Sequence, residues 1–238
     1  MKKYKFAPKP YVFIICITFI CCVQISAQID PVEKYLKEVG DFAEIYNGRI
    51  EQNYHSLLYE NFPYYLSSDF TDASVIFKNK YYPNQKARLD LHKEHIIILP
   101  SEKRYGIIIN SQDVDRVNMY GRTLKYFDAQ KEAGIKKGFY IILNEGEKTQ
   151  LFCKEHYTLR QKQITFAFDL SIRYYLYHNN RFNVVKNKGS FTKLFPQYKK
   201  QINQYAKEHK QYFNQNTETS LTYLARYCEE LLTSTNNK

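Results

Sequence analysis

The chain is 238 residues long, carries a formal charge of +11, and holds 23 tyrosines but no tryptophan. Its length suits one large domain or two small ones. It has no G-x-S-x-G, no P-loop, no G-x-G-x-x-G and no C-x-x-C, so the signatures of a nucleophile elbow, of the glycine-rich nucleotide cradles and of zinc-ribbon or dithiol redox sites are excluded.

Lys2, Lys3, Lys5 and Lys9 lead into an apolar run over residues 11–23, and Ile25-Ser26-Ala27 offers a signal-peptidase site before Gln28. This predicts a secretory signal peptide over residues 1–27. A membrane anchor needs ~20 apolar residues, more than the run provides. Cys21 and Cys22 suggest lipidation, but Thr18-Phe19-Ile20 are bulky where a lipid attachment site has small residues. Cleavage removes four lysines and no acid, which lowers the charge from +11 to +7. Three of the five cysteines leave with the signal. Cys153 and Cys228 remain, either as a disulfide, which an oxidising compartment permits, or as two buried thiols.

In the mature chain, Asp30 caps a helix starting at Pro31, and Glu33 completes a capping-box-like pair. Val32, Tyr35, Leu36 and Val39 share one face of it. The helix ends at Gly40 or runs on to about Ile45. Asn47-Gly48 is a turn dipeptide, and residues 50–59 fit no single pattern. Phe62-Pro63-Tyr64-Tyr65-Leu66 is an aromatic loop or an edge strand, because Pro63 cannot donate to a ladder.

The centre of the protein is predicted over residues 73–110, as four or five short strands. Residues 74–77 lead to a tip at Lys78-Asn79-Lys80, where Asn79 suits a left-handed turn. From Gln85 the pattern alternates, with Ala87, Leu89 and Leu91 on one face and Lys86, Arg88, Asp90 and His92 on the other. Residues 95–99 and 104–109 are aliphatic strands around a turn. Further strands are expected at 114–120, 123–127, 138–143, 149–155, 163–168, 171–177 and 181–186. Turns fall at 144–147 and at His178-Asn179-Asn180. This spacing indicates an antiparallel meander.

The C-terminal part is helical. A short helix is capped by Ser190 and stopped near Pro196. A lysine-rich helix over 197–212 places Tyr198, Ile202, Tyr205 and His209 on one face. An amphipathic helix over 218–232 has Leu221, Leu224, Ala225, Cys228 and Leu232 on its apolar side. A polar tail over 233–238 follows.

Little chemistry is singled out. His92-Lys93-Glu94-His95 has metal-ligand spacing only on a helix; on a strand, residues three apart face opposite ways, so no metal site is assigned. Asp113 and Asp115 lack the glycine and terminal glutamate of a calcium loop and read as a turn. No carboxylate pair stands out, so no catalytic residue and no cofactor is assigned. Tyr64, Tyr65, Tyr81, Tyr82, Tyr174 and Tyr175 are candidate ligand-binding residues, since amphipathic rings suit glycan, peptide or lipid. Packing on half-buried strands accounts for the same tyrosines. Between Arg181 and Tyr212 eight basic residues face one acid, Glu208. Lys193, Lys199, Lys200, Lys207 and Lys210 form a candidate basic patch there, either for anionic lipid headgroups or as a solvated face. Nucleic acid is a poor partner for an exported protein.

Ser74, Phe77, Asn79, Tyr82, Asn84, Arg88 and Asp90 resemble a segment, G-S-x-x-Y-x-G-x-x-Y-x-N-x-x-L-R-Y-D, found in secreted Bacteroidota proteins of unknown function. The chain departs from it at Ala73, Asn79 and Leu89. Later pieces are similar in the same order: Val114-Asp115-Arg116-Val117, then Gly138-Phe139-Tyr140 with Gly146, then Tyr174-Tyr175-Leu176 through Asn180 with Phe182, Val185 and Lys186. The resemblance implies an envelope location and a strand-rich body, and brings no catalytic residues.

Together these readings predict a single α+β domain over residues 28–238. A curved antiparallel meander, open or half-barrel-like, spans about 44–186. An N-terminal helix precedes it, and a helical part over about 189–233 follows. The expected function is non-enzymatic binding of an envelope protein or lipid, in the periplasm or at the cell surface, with no transmembrane span after signal cleavage. The alternatives are a carrier of a hydrophobic ligand and a hydrolase with an unrecognised site.

Overall fold

The computed structural model describes residues 31–128, 134–210 and 216–235. The predicted signal peptide, the Asp30 cap, the Glu33 side chain, the end of the lysine-rich helix at 211–212 and residues 236–238 lie outside that description. The described residues form one open antiparallel sheet of eleven strands, not closed into a barrel, with helices before and after it. The α+β class, mostly β, is as the sequence predicts.

Helix α1 (Pro31–Val39) packs Val32, Leu36 and Val39 on the main core, while Tyr35 stays 37% exposed. Gly40 ends it in the left-handed conformation, φ 56°. The strands are β1 (Arg49–Ile50), β2 (Thr71–Phe77), β3 (Lys80–Asp90), β4 (His95–Leu99), β5 (Ile107–Ile108) and β6 (Val114–Met119). They continue with β7 (Arg122–Phe127), β8 (Gly138–Glu145), β9 (Gln150–Gln161), β10 (Phe166–His178) and β11 (Arg181–Val185). The sheet order is β1-β5-β4-β3-β2-β6-β7-β8-β9-β10-β11. Two hairpin runs are therefore joined where β2 pairs with β6.

The local chemistry explains the hairpins. Lys78 and Asn79 have φ of 49° and 61°, and Asn179 and Asn180 have 51° and 58°. Two successive left-handed residues are what a two-residue hairpin matched to strand twist requires. Asn84, also left-handed at 52°, sits where the β2–β3 register shifts. That bulge moves the inward face from Tyr82 to Gln85, Ala87 and Leu89, all buried.

Several expectations need correction. Asn47-Gly48, expected as a turn, is a bend leading into β1; a Cβ at Gly48 would overlap the carbonyl oxygen of Ile108, so the glycine also serves the close approach to β5. The strand expected at 104–109 shrinks to β5. The strands expected at 163–168 and 171–177 are one, β10, because Asp169 and Leu170 keep their pairing with β9 unbroken. The short helix α2 (Lys188–Leu194) is capped by Asn187, whose side chain accepts from Ser190 N at 3.3 Å, rather than by Ser190.

The sheet curls strongly. The end of β3 meets β9, where Tyr157 N points at the Leu91 carbonyl at 3.4 Å. One face of β2–β4 and β6–β9 buries Val75, Tyr82, Leu89, Ile96, Ile98 and Phe139 in the main core. Farther along, Leu151, Leu176 and Val185 receive α2, α3 (Lys199–Glu208) and α4 (Thr217–Thr235) through Phe191, Ile202, Leu221, Leu224 and Cys228. Tyr205 of α3 stacks on Tyr227 of α4 with centroids 4.0 Å apart. Cys153 and Cys228 are free and belong to different clusters, and burial pushes each thiol up to about 12.

Glu229 pins α4 to the β8–β9 turn. Its carboxylate accepts from Lys148 N at 2.8 Å, Thr149 N at 2.6 Å and Thr149 Oγ1 at 2.7 Å. Burial pushes its pKa up, but these donors outweigh burial and hold it below the ordinary glutamate value. A depressed carboxylate stabilises the fold above its unfolded pKa, and that contribution is lost as pH falls through the folded one. Glu229→Gln should therefore cost about 1–2 kcal/mol at neutral pH. In urea titrations the gap to wild type should close as pH falls below about 4; a gap that is independent of pH would contradict this account.

Candidate functional site

The site is built by the turn between β3 and β4. The sequence reading continued the strand through His92, but the chain turns at residues 91–94. Asp90 causes this. Its Oδ1 accepts from the N–H groups of His92 and Lys93, both at 2.8 Å, a local side-chain bond that competes with a strand ladder. Its Oδ2 accepts from Tyr54 Oη at 2.7 Å. Glu94 ends the turn in a left-handed conformation, φ 57°, and sends its carboxylate onto β8 and β9.

That carboxylate is fully engaged. Oε1 accepts from Lys154 Nζ at 2.6 Å and from His156 Nδ1 at 3.2 Å, and Oε2 accepts from Phe139 N at 2.9 Å. Lys154 also donates to Phe139 O at 2.9 Å, and its ammonium lies 5.0 Å from the centre of the Tyr140 ring. The two side chains are 8% and 11% exposed, a buried ion pair. Burial pulls the Lys154 pKa below the ordinary lysine range, against the opposing charge and hydrogen bond of Glu94. Gly138 makes room: its φ is +133°, and a Cβ there would overlap Glu94 Oε2 and stand 2.6 Å from Lys154 Nζ.

His156 Nδ1 also lies 2.8 Å from the Leu91 carbonyl oxygen. With acceptors on that side, Nδ1 carries the proton and Nε2 is the basic nitrogen of the neutral ring. His92 is held the same way, Nδ1 2.9 Å from Tyr157 O. The two imidazoles face each other with centroids 6.3 Å apart.

Beside this knot opens a cleft of ≈ 590 Å³, between the β3–β4 turn, residues 135–137 and the outward face of β9 and β10. Among the described residues its charged lining is Lys93, Lys136, Lys137, Lys154 and Arg173 against one acid, Glu94. Glu94 is paired with Lys154. Four cations thus face the cleft with no carboxylate partner among the described residues.

The six tyrosines singled out by sequence do not form one surface. Tyr64, Tyr65, Tyr82 and Tyr175 are buried, and Tyr81 is 46% exposed. Tyr64 donates to Glu51 at 3.0 Å and lies under the Arg88 guanidinium. Tyr174 and Tyr175 point to opposite faces of β10; Tyr175 lines the cationic cleft and Tyr174 a neighbouring one. Lys193, Lys199, Lys200, Lys207 and Lys210 are all exposed along α2, α3 and the residues just after, away from the cleft lining. Among the described residues no three His, Cys, Asp or Glu groups converge as metal ligands. The sequence reading missed Glu94, Lys154 and His156; the one local signal was Asp90 followed by a polar pair, Lys93-Glu94, between apolar runs.

Comparison of the chain with protein-family models, with curated proteins and with solved structures gave no match.

Proposed function

We propose that this chain is an exported, non-enzymatic protein of the cell envelope that binds an acidic protein partner through the cationic cleft. The lysines and apolar run of residues 1–27 support export. One observation carries the binding reading: Lys93, Lys136, Lys137 and Arg173 surround a concavity whose one acid among the described residues is already paired. Clustered cations in a cleft focus positive potential and favour an anionic partner.

The alternatives are less well supported. A carrier needs a hollow, but the inner face of the curled sheet is filled by Val75, Tyr82, Leu89, Ile98, Val117 and Phe139. A hydrolase would use the convergence of Glu94, His92 and His156. However, Ser171, the serine of the cleft, donates its hydroxyl to the His156 carbonyl at 3.2 Å rather than to an imidazole.

The test is fluorescence anisotropy with a labelled oligo-glutamate peptide. Binding should weaken with salt, and Lys136→Glu/Lys137→Glu/Arg173→Glu should lose at least about tenfold in affinity. Unchanged binding by the triple variant would remove the cleft from consideration. Capture of phosphatidylglycerol vesicles without peptide binding would move the assignment to lipid.

A further inference from the structure

Among the described residues, the outer edge of β10 is open in the middle and closed on both sides. Phe166 and Phe168 turn their backbone groups outward. Phe166 N donates to Leu58 O, and Phe166 O accepts from Glu60 N. Phe168 exchanges two bonds with the Asn61 side chain, at 2.7 and 2.9 Å. At the other end, Tyr174 pairs with Val185, the last residue of β11. The period of a strand turns the N–H and C=O groups of Leu170 and Ile172 outward as well. Among the described residues no strand pairs with them there. The chain leaves β11 toward α2 just before it would cover them. Leu170 and Ile172 are also 46% and 48% exposed.

Unpaired backbone beside exposed aliphatic side chains is the arrangement to which an extended peptide adds as a strand. The slot from Asp169 to Arg173 is about 17 Å long at ~3.4 Å per residue. A second copy's β10 does not fit, because Asn61 and Val185 occupy the positions that its longer strand would need. A short linear segment fits. Its alternate side chains would meet two chemistries: Leu170 and Ile172 on one face, and on the other the face of Ser171 and Arg173, which is the wall of the cationic cleft. Beyond the end of β11 a second cleft, ≈ 650 Å³ and lined by Ile172, Tyr174, Val184 and Thr217, borders the slot.

We infer that the acidic partner docks as an added β-strand, an extended segment of about five residues alternating acidic and aliphatic side chains along the open edge of β10. This rests on the cationic-cleft reading and gives it a binding mode.

The test uses a labelled heptapeptide of alternating Glu and Val, the same peptide N-methylated at its valines, and the full chain with Leu170→Pro. Proline is tolerated on an edge strand but removes the outward N–H. The expected result is binding of the plain peptide, with a loss of roughly tenfold or more on N-methylation or in Leu170→Pro. N-methylation acts on the ligand, so this arm holds even if the proline variant does not fold. Equal binding of both peptides that is lost in the Lys136→Glu/Lys137→Glu/Arg173→Glu variant would overturn strand addition and leave the cleft reading standing. Sensitivity to N-methylation that survives the charge reversals would support strand addition and overturn the cleft. Self-association of the chain that disappears in Leu170→Pro would name a second copy and overturn the peptide proposal.

Discussion

Glu94→Ala should destabilise the protein by about 3–5 kcal/mol, because it strands the ammonium of Lys154 in a site that water barely reaches. The charge of Lys154 is 8% exposed and is compensated by the Glu94 carboxylate 2.6 Å away. The same substitution frees Phe139 N and removes one acceptor from His156 Nδ1. The double variant Glu94→Leu/Lys154→Leu should be closer to wild type than Glu94→Ala, since a buried pair replaced as a unit leaves no orphaned charge. Urea unfolding with an unchanged slope reads both values. A loss below about 1 kcal/mol for Glu94→Ala would mean that the pair behaves as a solvated surface bridge.

Gly138→Ala should cost about 3–4 kcal/mol, from a backbone conformation reserved for glycine together with overlap at the Glu94–Lys154 pair. The φ of +133° is strained for any side chain, and the added carbon meets Oε2 of Glu94, which accepts from Phe139 N, in a carboxylate whose other oxygen is held by Lys154 and His156, so neither partner yields easily. The effect should shrink in the Glu94→Ala background, where the obstructing carboxylate is gone but the backbone strain remains. A thermodynamic cycle over the two positions separates these contributions. Full additivity would show that the clash plays no part.

The difference between what the sequence revealed and what it hid follows from the range of the interactions. Asn79, Asn179 and Asn180 announced their hairpins because the turn requirement is a property of those residues alone. Ala87, Leu89 and Leu91 announced a buried face because one face of β3 is covered along its length. The bulge at Asn84 was hidden, since it depends on the register with β2. The tyrosines were ambiguous for a related reason: Tyr64, Tyr65 and Tyr82 suit a binding surface and sheet packing alike, and contacts with distant elements bury all three. The candidate site was the least legible part. Lys154 reads as an ordinary exposed residue of a strand until the β3–β4 turn, brought from sixty positions earlier in the chain, lays Glu94 beside it. Cys153 and Cys228 were undecidable for the same reason, since each belongs to a cluster assembled by distant elements.

The sheet order also bears on how the chain reaches its fold. From β7 to β11 every strand lies beside the one that precedes it, and β3 to β5 repeat that rule. A chain that emerges N-terminus first can therefore zip most of the sheet one hairpin at a time, and short loops keep each closure entropically cheap. Two joins break the pattern. β2 must keep its second edge unpaired until Ala73 meets Met119, and β1 waits until Arg49 meets Ile108. The first of these joins unites the two hairpin runs, so the rate-limiting event in folding should lie at the β2–β6 seam. Substitutions at Val75 and Val117, which pair across that seam, should slow refolding, whereas those in the β10–β11 hairpin should mainly speed unfolding.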